Sequence, residues 1–315
     1  MTYFLRKTTS FALTLSLLLV SVFFLLRMAP GGPFDGEKAL PPEILENLSR
    51  YYGLDRPIWE QFLTWMQNLL KGDLGESFQY IGRPVSELLG ESIGVSLAFG
   101  SVSLVLSFGV GTLWGSQAGY SPGSNLDRAA SFLLSIGNSL PSYLTAGLLV
   151  LIFSKWLNLL PPALLDEPGS WVLPVITLSI RPVCLILQHT RTSISETLQA
   201  DYIRTALAKG ASSQQMLLHH ALRNSWIPLI GLLGPMTSNL LTGSFLVETV
   251  FQLPGLGKHF VSAVINRDYP LVMGVTLLYG VLLLSMTWVS DLLYGWADPR
   301  IRFASADESE TGRAG

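Results

Sequence analysis

Charge is what this sequence lacks most. Of its 315 residues only 13% are Asp, Glu, Lys or Arg, against roughly 25% in a soluble globular domain, and long stretches carry none. A water-exposed surface cannot be built from such stretches, which excludes an ordinary soluble fold. The single cysteine excludes a disulfide framework. A net charge of −2 with no basic run excludes a disordered polycation or a nucleic-acid-binding chain. Catalytic signatures are missing too: there is no Gly-x-x-x-x-Gly-Lys-[Ser/Thr] phosphate loop, no His-Glu-x-x-His, no Gly-x-Ser-x-Gly and no spaced Cys/His cluster. Cys184 stands alone in an apolar run and reads as a packing residue. His189 and His259 are isolated and only His219 and His220 adjoin, which is thin support for a metal site. The expectation is a chain that is no enzyme and carries no cofactor or metal of its own.

What is present is apolar length, 49% of the residues being hydrophobic. A helix needs about 20 mainly apolar residues to cross roughly 30 Å of hydrocarbon. The runs that qualify are Thr8 to Leu26, Ser92 to Leu126, Ala129 to Ser154, Pro168 to Thr190, Asn224 to Val247 and Tyr269 to Ser290. The second run is broken near its end by the turn-prone Gly119-Tyr-Ser-Pro-Gly-Ser-Asn125, and the fourth is interrupted by Arg181. The fold expected is an all-α membrane protein of about six transmembrane helices. A cleaved signal peptide is the alternative for the first run. Its apolar core exceeds the roughly 7 to 15 residues usual there, no small-x-small site follows, and further spans come after.

Lysine and arginine near the span ends set orientation. With the N-terminus cytoplasmic, that side receives Arg6, Lys7, Arg128, Arg191, Arg204, Lys209, Arg223, Arg300, Arg302 and Arg313. The other side has Arg27, Lys38, Arg50, Arg56, Lys71, Arg83, Lys155, Lys258 and Arg267, spread more thinly and mixed with most of the acidic residues. Both termini are therefore expected inside. The chain divides on this reading into residues 1–92, a first span with an outer structured segment; residues 93–303, a five-span core with a cytoplasmic loop over 191–224; and a polar tail, residues 304–315.

In the outer segment Pro41 and Pro42 mark a helix start and Gly53 its end. Asp55 can cap a second helix in which Ile58, Trp59, Phe62, Leu63, Met66, Leu69 and Leu70 follow the i, i+3, i+4 spacing. That helix can lie in the membrane interface or pack on the tops of the spans; both readings fit. Gly111, Gly115 and Gly119 recur every four residues after Gly100 and Gly109, a spacing that lets two helices approach closely in lipid.

The loop Arg191 to Arg223 is too long for a turn and reads as two short helices. Ala206 and Ala208 let another surface come near, Gly210 permits the positive φ that ends the first helix, and Ser212 or Ser213 can cap the second. Such a pair, held along the membrane, is a lever between a cytoplasmic partner and the spans on either side. This loop resembles the EAA-type coupling loop of bacterial ABC importer permeases, in the oligopeptide/dipeptide/nickel branch. The likeness is carried by Tyr202-Ile-Arg-Thr-Ala-Leu-Ala-Lys-Gly210 and His220-Ala-Leu-Arg-Asn224. It continues through Val247-Glu-Thr-Val-Phe-Gln-Leu-Pro-Gly-Leu-Gly257, Arg267-Asp-Tyr-Pro270, Asp291-Leu-Leu-Tyr294 and Asp298-Pro-Arg-Ile-Arg302. Upstream, Pro30-Gly31, Tyr52-Gly-Leu-Asp-Arg-Pro57, Gly72-Asp-Leu-Gly-Glu-Ser77 and Arg83-Pro-Val85 agree in the same order. Two departures stand out. Arg204 occupies a position where the general pattern has glutamate, though the peptide branch does likewise, and Arg181 falls mid-span in Ser179-Ile-Arg-Pro-Val183.

The resemblance implies a type I, MetI-like permease fold with cytoplasmic coupling helices, in the bacterial inner membrane. It also implies the partners: a similar second permease, two ATPase subunits holding ATP and Mg²⁺, and an extracytoplasmic substrate-binding protein. Peptide, oligopeptide or dipeptide, is the substrate it favours; nickel or another small solute is the alternative, and an ATP-independent transporter or channel the remote one. The coupling residues it marks are Arg204, Thr205, Ala206, Ala208, Lys209, Gly210, Ala211, His220 and Arg223. For Arg204, Lys209 and Arg223, ion pairing with an ATPase and simple positive-inside bias fit equally. Glu248 either steers substrate or caps its loop. Arg181 either meets the carboxylate of a passing peptide or forms a structural ion pair, for which Asp291 is the acidic residue available within a span.

Overall fold

The structure, a computed structural model, describes residues 2–34, 41–162, 164–208, 210, 212 and 222–297. Among the described residues it is helical, with one isolated bridge between Glu76 and Pro84 and no strand. The helices are α1 (Thr2–Met28), α2 (Pro42–Tyr51), α3 (Ile58–Leu70), α4 (Val85–Tyr120), α5 (Asn125–Ser139), α6 (Ser142–Leu149), which continues as the π-helical stretch Val150–Trp156, and α7 (Val172–Gln199). Then follow α8 (Asp201–Ala208), α9 (Leu222–Leu241), α10 (Phe245–Val250), α11 (Leu256–Ile265) and α12 (Tyr269–Ala297).

Among the described residues five stretches are long and apolar enough to cross a membrane: Leu5–Met28, Val85–Tyr120, Val172–Gln199, Leu229–Val250 and Tyr269–Leu293. A sixth is present if α5 and α6 with its π-helical continuation count as one span, but that pair is bent by 113°. The uninterrupted run expected from Ala129 to Ser154 is thus broken. Pro141 supplies no N–H and forces Leu140 before it into extended backbone (φ −86, ψ 127), which hydropathy alone does not register. α4 starts seven residues before Ser92. Its first turns are charged but helical, and Arg83 reaches Glu87 and Glu91 there, each at 2.7 Å; such exposed pairs add little to stability.

The described chain forms two compact units. The first comprises Met1–Leu97, Thr242–Thr249 and Leu253–Leu284, the second Ala98–Leu241, Val250–Gln252 and Ser285–Gly315. The first unit centres on Val85, Leu88 and Leu89 of α4, Leu256 and Ala263 of α11, and Leu271, Val272 and Val275 of α12, with Val22 and Leu26 of α1 packed against them. A second cluster, Leu19, Phe23 and Met273, receives Phe62, Trp65 and Leu69 of α3. α2 and α3 begin behind Pro41 and Pro57, and Gly53 has φ +66 as its position past a helix end requires. The expected Asp55 cap is not made: α3 starts at Ile58 with Pro57 at its N-cap and no side-chain cap, so Asp55 lies two residues too early.

In the second unit α4 and α7 are joined along one line of small residues spaced by four. Ser103 Oγ donates to the Val175 carbonyl at 3.3 Å; the Ser107 and Ser179 hydroxyls donate within their own helices, to the Ser103 and Val175 carbonyls at 2.6 Å, and each also lies 3.3 Å from a carbonyl of the other helix, Ser179 and Ser103 respectively. Below them Gly111, Gly115 and Gly119 meet Ile186, Leu187 with Thr190, and Arg191 of α7; a Cβ on Gly115 would lie 2.8 Å from the Leu187 carbonyl oxygen. The glycine spacing is the close approach the sequence suggested, and the two serines extend it. Gly109 meets nothing, and Gly100 backs onto the Leu240 carbonyl of α9 instead. Cys184 is buried against Gly137 of α5.

Candidate translocation surface and coupling segment

α7 is the most enclosed of the candidate spans, half of its most apolar stretch being buried. What it leaves open is polar. Beyond the first turn its exposed residues are Arg181, Gln188, Thr192, Glu196 and Gln199. At about 100° per residue these fall on one side of the helix. Packing on the opposite sides explains why: Val175, Thr177, Val183, Cys184, Ile186, Leu187, Thr190 and Ile194 are all buried. Arg181 lies about 14 Å along the axis from Val172, close to the middle of a roughly 30 Å hydrocarbon layer. It has no ion pair or hydrogen bond among the described residues, so the structural pairing with Asp291 is not formed. Pro182 beside it removes one helical hydrogen bond. The open strip of α4 in the same unit is mostly apolar, Val102, Val105, Leu106 and Leu113 with Gly109 and Val110 between, and polar only towards its ends at Ser101 and Gln117.

The polar strip runs down α7 to Gln199. Ala200 then turns the chain in extended backbone (ψ 144) and α8 begins at once. Ile203 is buried and Tyr202 exposed, and Thr205 Oγ1 donates to the Asp201 carbonyl at 3.0 Å. Gly210 has φ +91, the left-handed conformation expected after the first loop helix. Arg204, Ala206 and Ala208 lie in α8 and Arg223 in α9 by their backbone, while their side chains lie outside the described residues. So do Lys209, Ala211 and His220 altogether, and with them the second helix of the loop. On the same end of the unit, Arg191 of α7 pairs with the buried Asp127 of α5. Asp127 also accepts from the Gly123 N–H at 2.9 Å, while Ser124 caps α5. Asp127 drew no attention in the sequence because its partner is 64 residues away.

Glu248 faces inward. Only 4% exposed, its carboxylate accepts from Ser96 Oγ at 3.2 Å and from the Lys258 N–H at 2.8 Å, and Ser96 Oγ in turn accepts from the Leu256 N–H. Gly243 (φ +80) and Gly255 wall it in, since a Cβ on either would strike the carboxylate. Of the two readings, loop anchor is the one this geometry fits. Asp268, fully buried, is the comparable group that sequence reasoning missed. It accepts from Ser77 Oγ, from the N–H groups of Phe78 (3.1 Å) and Gln79 (3.2 Å), and from the Leu271 N–H (3.2 Å) in the first turn of α12. Arg267 Nη1 donates to the Gly32 carbonyl at 3.1 Å, against Gly31, which has φ +88. Two pairs of motifs far apart in the chain, Pro30-Gly31 with Arg267 and Gly72 to Ser77 with Asp268, are thereby explained as two halves of the same joints.

Comparison with known proteins agrees over nearly the whole chain. Residues 1–95 match the family of binding-protein-dependent transport system membrane components, N-terminal part, and residues 111–303 match the binding-protein-dependent transport system inner membrane component. The dipeptide transport system permease protein DppB of Lactococcus lactis is 36% identical over 300 residues, covering 95% of this chain and 99% of that protein. The oligopeptide transport system permease protein OppB of Haemophilus influenzae is 38% identical over 298 residues, covering 92% and 95%. Among solved structures, a chain of the MetNI methionine ABC transporter in an inward-facing conformation superposes with a TM-score of 0.55 at 17% identity, covering 69% of this chain and all of that one. A chain of an amino acid ABC transporter crystallised with histidines gives 0.51 at 15%, covering 66% and 94%. These likenesses show the fold, and the sequence matches show the family: this chain is a multi-pass inner-membrane permease belonging to the binding-protein-dependent transport system inner membrane components.

Proposed function

We propose that this chain is one of two membrane subunits of an ATP-driven importer of peptides. The observation that carries the reading is the polar strip of α7, open from mid-span to the start of α8. Lipid cannot cover such a strip without cost: an arginine at the bilayer centre costs about 2.5–3.5 kcal/mol on insertion scales. A wet path or a second subunit can cover it. α7 and α8 are consecutive with only Ala200 between them, so a displacement of α8 is transmitted directly to the helix carrying Arg181.

On this reading the termini are cytoplasmic and two ATPase subunits dock against α8 and the loop that follows. Arg204, Thr205, Ala206, Ala208, Lys209, Gly210, Ala211, His220 and Arg223 form the coupling segment. ATP and Mg²⁺ are bound by those partners, and a substrate-binding protein delivers solute from outside. ATP binding on the partners then biases this chain and a similar second permease between two packings. Peptide as the solute is supported by the names of the relatives, DppB and OppB. Arg181 receives the peptide's carboxylate in the path, while Glu248 holds its loop.

The test is uptake into proteoliposomes of the chain purified with its co-purifying subunits and a loaded binding protein. ATP-dependent uptake of peptide is expected, with none when the ATPase partner is inactivated. Uptake of nickel and not peptide would replace the solute, and uptake by the chain alone without ATP would remove the importer reading.

A further inference from the structure

α3 has three faces where an ordinary amphipathic helix has two. Phe62, Trp65 and Leu69, at i, i+3 and i+7, pack on Leu19, Phe23 and Met273. The ring centroid of Phe62 lies 5.1 Å from that of Phe23 and 5.6 Å from that of Phe24, and Trp65 lies 5.6 Å from Phe23. Gln61, Thr64 and Asn68 form the second face and line a pocket of about 330 Å³ together with Arg27 and Tyr52. Gln61 accepts from Arg27 Nε at 2.9 Å and donates to the Leu54 and Arg56 carbonyls. The third face, Trp59, Leu63 and Leu70, touches water in the isolated chain, at 60%, 48% and 82% exposure.

The depth of α3 follows from what it touches. Phe23 is five residues before Met28, the last residue of the span α1, and so sits about 7.5 Å inside that end; Arg27, which meets the polar face, sits at the end itself. α3 therefore lies across the last turns of a membrane span, its polar face level with the end and its packed face below it. That is the depth, about 5–10 Å into the headgroup and acyl boundary, at which in-plane helices settle. α1 is itself largely open, with Leu13, Leu17 and Leu25 exposed and only 11% of its apolar stretch buried.

From this depth we infer that α3 is an in-plane membrane anchor, whose Trp59, Leu63 and Leu70 lie in the lipid of one leaflet. Tryptophan is one of the two side chains enriched at that boundary. A soluble partner cannot reach this depth, which leaves lipid or another membrane subunit, and the open leucines of α1 favour lipid. The inference rests on the packing of α1 and α3 and is independent of the solute or of ATP.

The experiment uses the full-length chain with Cys184→Ala, single cysteines at 59, 63, 70, 60, 64 or 67, and an environment-sensitive fluorophore on each. The labelled chain is studied in nanodiscs of phosphatidylcholine and phosphatidylglycerol, both alone and with co-purifying subunits. Labels at 59, 63 and 70 are expected to be quenched several-fold more by shallow spin-labelled lipid than by aqueous iodide, and those at 60, 64 and 67 the reverse. Quenching of 59, 63 and 70 by iodide instead would place that face in water and overturn the inference. Protection of those three from both quenchers in the complex would assign the face to a partner subunit and overturn it equally. Labels are compared only on chains that elute as a single species, so a variant of that face that fails to fold is replaced by its neighbour on the same face, Met66.

Discussion

Asp268 and Arg181 are both charged residues of a membrane protein, and the two are treated in opposite ways. Asp268, in the first unit, is sealed: a hydroxyl and three backbone N–H groups converge on it from two segments. Glu248 in the same unit is sealed likewise between two glycines and Ser96. Arg181, in the second unit, points out of its helix with Gln188 and Thr192 on the same side. A polar group satisfied inside its own unit belongs to the architecture. One left open at mid-membrane must be satisfied by something outside the chain, because burying it unpaired is costly. The contrast separates the residues that hold the molecule together from those left open to something beyond it.

The largest effect expected is at the sealed groups. Asp268→Ala leaves three donors, the Ser77 hydroxyl and the N–H groups of Phe78 and Leu271, without their acceptor, while the Gln79 N–H keeps Ser77 Oγ, and at about 1 kcal/mol or more for each the loss is roughly 3 kcal/mol. Thermal unfolding of the purified chain in lipid should shift down strongly, with any remaining transport lowered for every solute alike; an unchanged melting temperature would mean the joint carries nothing. Gly255→Ala should cost about 2–3 kcal/mol, since its methyl group meets the Glu248 carboxylate. Shortening the acid in the double variant with Glu248→Asp should recover part of that loss, and additivity of the two changes would show that they do not touch.

At the open group the pattern reverses. Arg181→Leu should leave the melting temperature the same or raise it, while uptake of peptides with a free carboxyl terminus falls by about tenfold to a hundredfold, as a charge-assisted hydrogen bond of about 1.5–3 kcal/mol implies. Uptake of the corresponding C-terminal amides should not fall. If both fall together, or if a co-purifying permease is lost, Arg181 belongs to the assembly interface and the carboxylate role is wrong.

The smallest effect concerns His259, which meets Tyr80 edge-on at 6.0 Å. Burial, helped by the charges of Lys258 and Arg83 and opposed by Glu91, holds its imidazole below the ordinary value. A lowered native pKa means that the unfolded chain binds the extra proton first. The contribution is full above about pH 6.5 and is lost as pH falls from there through the lowered native value. Melting curves at pH 7.5 and 5.5 should therefore show a slightly larger acid loss for the parent than for His259→Gln, and equal losses would dismiss the effect.

How much of this was legible varies with the range of the interaction. The Gly111, Gly115, Gly119 line could be read because its meaning is local: four-residue spacing gives one helix face whatever lies opposite. Gly210 could be read because a helix end needs a left-handed residue. The continuation of that line by Ser103 and Ser107 was not read, since serine in a span has many uses until its acceptor is known. The break at Pro141 was passed over because a hydropathy window averages across it. The expected Asp55 cap failed because cap geometry is set by which backbone enters the helix, and here Pro57 does. Glu248 had two readings of equal standing until Gly243 and Gly255 were found against its carboxylate.

The sequence by itself determined the environment, the approximate spans and the family. Each of these depends on composition, on helical period or on the order of motifs along one chain. Only the tertiary structure decided which polar residues are closed in and which are open. Asp268 and Ser77 are 191 residues apart, and Arg181 is left open because every other side of α7 is taken by neighbouring helices. Burial and hydrogen bonding are properties of what surrounds a residue in space, and no local pattern of side chains contains that information.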